Sequence, residues 1–184
     1  MLQEIEEEYK FIVSKEEFFN IKAQVLCTSP KSKEKVQVNY YFDTEDNYYN
    51  SIGQTIRVRQ IENELKLQIK KHQNNCENYN ISDEKTLKLE TFPTILHNEH
   101  LNSAVYLKGS LVTIRAEFPL GKSSKICFDN NLYLGICDFE IEIEFSQEDI
   151  AIVNGFINEN GLVAGKNMSK SERFFERLES VSHG

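Results

Sequence analysis

The sequence predicts an α+β fold that is mainly β, in which an antiparallel sheet carries helices on its outer side. Polar and apolar residues alternate with a period of two in segment after segment, as in strands with one apolar face. Helix starts are marked by capping boxes between these segments. The chain has 184 residues, of which 40% are hydrophobic, so we expect a single domain over residues 1–184.

The strands follow from the alternation. In each segment the charged residues occupy every second position, and residues such as Ile, Val, Leu and Phe occupy the positions between them. The charged or polar faces consist of every second residue of six segments. These residues are Glu4, Glu6, Glu8 and Lys10; Arg57 and Arg59; Lys66, Gln68 and Lys70; Lys88 and Glu90; Thr113, Arg115 and Glu117; and Asp138, Glu140, Glu142 and Glu144.

The helices follow from their first turns. Capping boxes pair a Ser with an acidic residue three positions later, and predict helices after Ser14, Ser146 and Ser169 with Glu17, Asp149 and Glu172 as partners. The second of these helices is expected to end at Gly161. A further helix is expected after Pro93, through Leu96, Leu101 and Val105, and the Asn-rich stretch 72–83 is expected to be a loop.

Composition excludes several classes of protein. A net charge of −8 disfavours nucleic-acid binding, unless positive charge is strongly concentrated at one site. The sequence has no apolar run near the roughly 20 residues of a membrane span, and its acidic start is unlike a signal peptide, so we expect a cytoplasmic protein without a membrane partner. Its four cysteines, Cys27, Cys76, Cys127 and Cys137, form no C-x-x-C pair, and its four histidines are scattered. Reduced thiols and no zinc site are therefore expected.

The signs of the charges differ from strand to strand. Glu4 to Glu8 and Asp138 to Glu144 are acidic, whereas Arg57 with Arg59 and Lys66 with Lys70 are basic. Each face alone could simply point to solvent, as sheet faces commonly do. If the sheet instead closes into a barrel with these faces inward, the carboxylates favour Mg²⁺ or Mn²⁺ and the cations favour phosphate oxygens. Such a lumen is typical of metal-assisted phosphoryl transfer.

Several short motifs follow one another along the chain. The first is Glu6-Glu7-Glu8-Tyr9-Lys10, which has the form E-x-E-x-K. The others are Tyr41 to Thr44 (YFDT), Gly53 to Arg59 (GQTIRVR), Leu67 to Lys70 (LQIK), Arg115 with Glu117, Glu140 to Glu144 (EIEIE), and Lys170 to Phe174 (KSERF). In this order the motifs resemble those of the CYTH superfamily of triphosphate tunnel metalloenzymes, and in particular its single-domain YjbK-like bacterial branch.

The resemblance implies an eight-stranded antiparallel closed tunnel with a charged lumen, Mg²⁺ or Mn²⁺, and a triphosphate substrate. It implies catalytic roles for Glu6, Glu8 and Lys10. Metal would be held by Glu6, Glu8, Glu140, Glu142 and Glu144, and the triphosphate by Lys10, Arg57, Arg59, Lys66, Lys70, Arg115, Lys170 and Arg173. Because Glu4 is a further carboxylate on the same strand face, the position of the metal ligands along this strand is ambiguous by two residues. Glu6 and Glu8 are the preferred ligands, because only that choice places Lys10 in the motif.

The leading hypothesis is therefore a metal-dependent hydrolase of inorganic triphosphate or another triphosphate such as ATP or thiamine triphosphate. Water is the expected nucleophile, because no Ser-His-Asp or Cys-His grouping stands out in the sequence. Two alternatives stay open. One is a class IV-type adenylate cyclase, and the other is a non-catalytic module that binds polyphosphate or a nucleotide.

Overall fold

Nine strands form one antiparallel sheet in the computed structural model, which describes residues 2–29, 32, 34–73, 79–97, 101–163 and 168–182. The strands are β1 (Leu2–Val13), β2 (Glu34–Asp43), β3 (Gln54–Ile61), β4 (Glu64–Gln73), β5 (Asn80–Leu89), β6 (Ile95–Leu96), β7 (Val105–Leu120), β8 (Ser124–Tyr133) and β9 (Ile136–Glu144). The helices are α1 (Lys15–Thr28), α2 (Tyr48–Ser51), α3 (Ile150–Glu159) and α4 (Lys170–Ser182), with a 3₁₀ turn at Gln147–Asp149.

Eight of the strands close into a barrel. The order is β2-β3-β4-β5-β1-β9-β8-β7, and β2 pairs with β7 to complete the circle, while β6 adds to β7 outside it. Every pairing is antiparallel, and the β8–β9 hairpin turns at Leu134 and Gly135, both with positive φ as a two-residue type I′ turn requires. The predicted closed antiparallel tunnel is confirmed.

The barrel is inverted, with apolar side chains on its outer surface. Helices α1 and α3 cover β1, β7, β8 and β9, and Phe18 and Val153 pack there with Phe128, Ile141 and Ile143. A second outer cluster lies over β2, β3 and β4, where Leu96 and Val105 bury Ile56, Val58 and Leu67. Burial of these faces holds the strands in register, because a slip of one residue would expose every apolar side chain.

Helix α4 closes one end of the barrel. Its first turn is capped by Ser169, whose Oγ accepts a hydrogen bond from the Glu172 N–H at 3.2 Å. Phe174 is fully buried against Tyr41, with ring centroids 4.8 Å apart. A Cβ at Gly109 would lie 2.8 Å from Phe174 Cζ, so a glycine lets the ring approach the β7 backbone. The tunnel is therefore blocked at this end.

Two local predictions are wrong, and a third fails at both of its ends. Within the stretch 72–83, which was expected to be a loop, His72 and Gln73 belong to β4 and Asn80 to Asp83 belong to β5, while residues 74–78 lie outside the described residues. Ser146 makes no capping hydrogen bond, because Asp149 instead accepts hydrogen bonds from the turn between β7 and β8. The segment after Pro93 forms β6, whose Leu96 pairs with Val105 and is buried on the outer face of the barrel. The capping boxes at Ser14 and Ser169 are confirmed, and Gly161 follows α3 with φ +64. None of the described helices is long and apolar enough to cross a membrane.

Replacing Asp149 with Ala should lower the thermal unfolding midpoint by at least about 5 °C. Asp149 accepts hydrogen bonds from the N–H groups of Lys122, Ser123 and Ser124 at 2.8–3.1 Å, and from Ser124 Oγ. These bonds lower the pKa of Asp149 from 3.8 to about 2. The stabilisation is therefore present above pH 3.8 and is lost as the pH falls toward 2, so the difference from wild type should shrink in acid.

Thermal unfolding followed by circular dichroism at pH 7 and pH 3 measures both effects. Glu159→Ala, at the exposed end of α3, is the matched control and should leave the midpoint nearly unchanged. An unaltered midpoint in the Asp149 variant at pH 7 would contradict the assigned role.

Candidate active site

The charged faces predicted from the sequence meet inside the barrel. Strands β1 and β9 are neighbours, and their register places Glu8 opposite Glu144 and Lys10 opposite Glu142. Strands β2, β3, β4 and β7 and the first turn of α4 also contribute side chains to the lumen. Its lining consists of Glu6, Glu8, Lys10, Gln37, Asn39, Thr55, Arg57, Arg59, Lys70, His72, Thr113, Arg115, Glu142, Glu144, Ser169, Lys170 and Ser171.

The deepest carboxylates form a compact cluster. One oxygen each of Asp129, Glu140 and Glu142 lies within 4.8 Å of the others. Asp129 and Glu140 are fully buried and Glu142 is 6% exposed, so water screens their charges poorly. Glu140 Oε1 has no hydrogen-bond partner among the described residues. The cluster therefore offers hard oxygen ligands and requires positive charge close by.

Lys170, in the first turn of α4, supplies positive charge to this cluster. Its Nζ lies 2.8 Å from Asp129, 2.8 Å from Glu140 and 2.7 Å from Glu142. Burial alone would lower the pKa of Lys170, but the three carboxylates outweigh it and raise the pKa. The ammonium therefore stays charged, and the cluster ties α4 to the barrel wall.

A second group of ion pairs lies toward β1. Lys10 Nζ is 2.7 Å from Glu8, and Lys70 Nζ is 2.7 Å from Glu6 and 3.0 Å from Glu8. Burial would raise the pKa of Glu8, but Lys10 and Lys70 outweigh it and lower the pKa to about 2. Glu8 is therefore ionised across the physiological pH range.

Two lumen arginines, Arg57 and Arg115, pair with carboxylates on other strands of the barrel. Arg115 makes two hydrogen bonds to Asp129, at 2.7 and 2.5 Å, and a third to Glu142. Arg57 donates to Gln68 at 2.9 Å and lies 3.4 Å from Glu84. These partners fix the guanidinium planes, which suits them to bind planar or tetrahedral oxyanions through two donors.

The carboxylates of β9 differ in their acidity. Burial would raise the pKa of Glu142, but Lys170 and Arg115 hold it well below the usual range. Burial raises the pKa of Glu140 and of Glu144, against the opposing effects of Lys170 and Lys125. Glu142 thus has the strongest tendency of the three to remain ionised.

Most predicted site residues meet in the lumen, and a few stand apart. Lys66 lies at the open mouth with 42% of its side chain exposed and Glu64 3.5 Å away, and Glu4 is exposed. Arg173 lies at the blocked end, where it donates to Asp138 at 3.0 Å and to Glu140 at 2.7 Å.

Among the candidate metal ligands, Glu140 lies behind Lys170, while Glu6, Glu8, Glu142 and Glu144 line the open space.

Several lumen residues were missed by the sequence reasoning. Asp129 completes the carboxylate cluster, Glu84 pairs with Arg57, and Asn39 holds Arg59. The signal for Asp129 is the alternation of Cys127, Asp129 and Asn131 in β8, where the intervening positions are Ile126, Phe128 and Asn130. Asn39 lies in a similar alternation with Gln37 and Tyr41.

Neither the described cysteines nor His72 offers an evident nucleophile. Cys27, Cys127 and Cys137 are free thiols, and burial raises the pKa of Cys127 well above its usual range, which keeps it protonated. Burial, together with Lys10 and Lys70, lowers the pKa of His72 to about 4, so this imidazole is neutral at pH 7. Cys76, His100 and His183 lie outside the described residues.

Comparison with known proteins identifies related chains. The model of the CYTH domain family matches residues 4–175. A Bacillus subtilis protein named "Putative triphosphatase YjbK" is 31% identical over 156 residues, which cover 78% of this chain and 79% of that protein.

Solved structures agree with the barrel. A crystal structure of a "putative adenylate cyclase" from Bacillus halodurans has a TM-score of 0.74 and 26% identity, and covers 95% of this chain and 100% of that one. A Hippeastrum protein, described as an adenylyl cyclase candidate with a dominant triphosphatase activity, has a TM-score of 0.70 and 17% identity and covers 96% of each chain. The second likeness concerns the fold alone.

Proposed function

The chain belongs to the CYTH domain family, and from this premise we propose that it is a metal-dependent hydrolase of inorganic triphosphate. The observation that carries the proposal is the lumen itself, which is closed by α4 at one end and in which carboxylates face a group of arginines and lysines. The Bacillus subtilis relative, named as a triphosphatase, supports the same reaction class.

The lining favours a substrate without an organic group. All seventeen residues that line the described lumen are polar or charged. A nucleobase or a thiamine ring is usually held by apolar or aromatic side chains, which this lining does not provide. Inorganic triphosphate, which needs only charge and hydrogen bonds, is therefore preferred over ATP and thiamine triphosphate.

The phosphate oxygens would be bound by the cations of the lumen. Arg57, Arg59 and Arg115 offer forked donors, while Lys10, Lys70 and Lys170 offer compact charges. Arg173 and Lys66 would act more remotely, from the blocked end and from the mouth. Fixing the phosphate chain among these groups aligns it for attack and stabilises the negative charge that develops.

The carboxylates fit a divalent metal ion. Glu6, Glu8, Glu142 and Glu144 line the lumen, and Glu140 is buried beside Glu142 with one unpartnered oxygen. An all-oxygen donor set of this kind suits Mg²⁺ or Mn²⁺. When bound, such an ion would neutralise phosphate charge and lower the pKa of a water molecule.

The chain's own residues would then orient the reactants. Lys10 holds Glu8 in place at 2.7 Å and brings positive charge to the phosphates, while Lys70 holds Glu6. Water is the nucleophile that this lumen favours, since Cys127 stays protonated. Glu6, Glu8 and Lys10 are in this way the proposed catalytic group.

Phosphate release from tripolyphosphate should exceed release from ATP and thiamine triphosphate by at least about tenfold, and should require Mg²⁺ or Mn²⁺. The three substrates are assayed in parallel after removal of metal with EDTA, and again after each ion is restored. Full activity without metal would contradict the mechanism. The ATP reaction is also analysed for cyclic AMP, because the Bacillus halodurans neighbour is named as an adenylate cyclase. Cyclic AMP would indicate a cyclase, and binding without any product would indicate a non-catalytic module.

A further inference from the structure

Asn39 and Arg59 form a pair that crosses from β2 to β3 on the lumen side. The two residues are opposite each other in the register, and Arg59 Nε donates a hydrogen bond to Asn39 Oδ1 at 2.9 Å. Both line the lumen, and Asn39 is only 1% exposed. The pair therefore lies inside the candidate site and is preorganised by the sheet.

Arg59 differs from the other cations of the lumen lining. Lys10, Arg57, Lys70, Arg115 and Lys170 each lie within 3.4 Å of at least one carboxylate oxygen. Among the residues that the structure describes, Arg59 has no carboxylate within salt-bridge distance, and its hydrogen bond goes to a neutral amide. Within the described part of the chain, its positive charge is therefore not neutralised by a carboxylate in direct contact.

The surroundings make this charge costly. Burial, together with the charges of Arg57 and Arg115, lowers the pKa of Arg59 to about 10. The guanidinium nevertheless remains charged at pH 7, so the lumen holds positive charge that an incoming anion would stabilise. A carboxylate at position 39 would remove this charge imbalance, and an amide preserves it.

Asn39 also has a hydrogen-bond donor to spare. Because Arg59 donates to it, the atom facing Arg59 must be the amide oxygen, which fixes the opposite atom as Nδ2. Nδ2 is buried and has no partner in the described structure. Buried donors without partners are rare, so a ligand in the lumen is the natural acceptor.

We propose that Asn39 is a substrate-positioning residue, which orients Arg59 without neutralising it and donates a second hydrogen bond from Nδ2 to the same phosphoryl group of the triphosphate. The inference rests on the proposed function. It adds a neutral residue of β2 to the binding site, and it explains why an amide is better suited than a carboxylate at this position.

The test compares Asn39→Asp and Asn39→Ala with wild type. Asn39→Asp keeps an oxygen for Arg59 but adds a negative charge and removes the Nδ2 donor. We expect it to raise KM for tripolyphosphate at least about tenfold, with a smaller change in kcat and no loss of thermal stability. Asn39→Ala removes both hydrogen bonds without adding charge, and its KM should rise less than that of Asn39→Asp. Gln60→Glu is the matched control, because it adds the same charge to the strand residue next to Arg59 but is outside the lumen lining.

The outcomes separate the inference from the proposed function. If wild type neither binds nor hydrolyses tripolyphosphate with either metal, the proposed function fails. If wild type is active and Asn39→Asp has an unchanged KM, the role of Asn39 is refuted. A larger KM effect for Ala than for Asp would overturn the charge argument. A variant that loses activity together with its thermal transition would indicate a structural role and also count against the proposal.

Discussion

Replacing Glu142 with Gln should reduce tripolyphosphate hydrolysis at least about 1000-fold, the loss expected when about 4 kcal/mol of metal-assisted stabilisation is removed from the transition state. Glu142 lies between the carboxylates of the lumen and two cations, with Lys170 Nζ 2.7 Å from its Oε1. Those cations hold its pKa well below the usual range, so the carboxylate carries the full negative charge that the proposed metal ion would bind. Glutamine has nearly the same shape but removes that charge. The measurement is kcat with saturating Mg²⁺ or Mn²⁺.

The fold should survive the Glu142 substitution. Arg115 would keep its two hydrogen bonds to Asp129, and Lys170 would keep Asp129 and Glu140. Circular dichroism and the thermal transition verify this. Glu16→Gln, on the exposed side of α1, is the matched control and should retain wild-type activity. Wild-type kcat in a folded Glu142→Gln protein would exclude Glu142 from the metal site.

Replacing Lys170 with Met should destabilise the metal-free protein by about 3–5 kcal/mol. Lys170 is 7% exposed and lies within 2.8 Å of three carboxylates, which would lose their shared cation and repel one another. Because α4 contributes this residue, the helix that blocks the tunnel would be held less firmly. Urea unfolding without metal measures the loss of stability.

Millimolar Mg²⁺ should restore part of this stability, because a divalent ion can take the place of the lost ammonium among the carboxylates. The test repeats the unfolding of Lys170→Met with and without the ion. Lys15→Met, at the exposed start of α1, is the control for loss of one lysine and should unfold like wild type. Equal stability of the Lys170 variant and wild type in EDTA would show that the three ion pairs contribute no net stability.

The charged lumen could be predicted because strand periodicity is a local property. Alternation alone placed Glu8, Lys10 and Arg57 on one face of their strands, and the structure confirms that each is buried in the barrel. Some strand faces are almost purely acidic and others almost purely basic. This separation of charge favours the interpretation that the faces share one interior over the interpretation that each points to solvent. Closure into a barrel then required only that the apolar faces be covered from outside.

The errors arose where distant contacts outweighed local signals. The Ser146–Asp149 spacing fits a capping box, but the carboxylate binds the N–H groups of a turn some 25 residues earlier. The segment after Pro93 has helical spacing of apolar residues, yet β6 gains hydrogen bonds to β7 and buries Leu96. Neither competing partner is adjacent in sequence.

By itself, therefore, the sequence determined β1, β3, β4, β7 and β9, which residues share a face of each strand, and the sign of charge on that face, because a period of two depends only on neighbouring residues. Tertiary structure alone decided which charges meet. It placed Lys170 among Asp129, Glu140 and Glu142, and it left Arg59 with Asn39 as its neutral partner. These pairings depend on register and on where α4 enters the barrel, and burial then makes their Coulomb interactions strong enough to set the chemistry of the lumen.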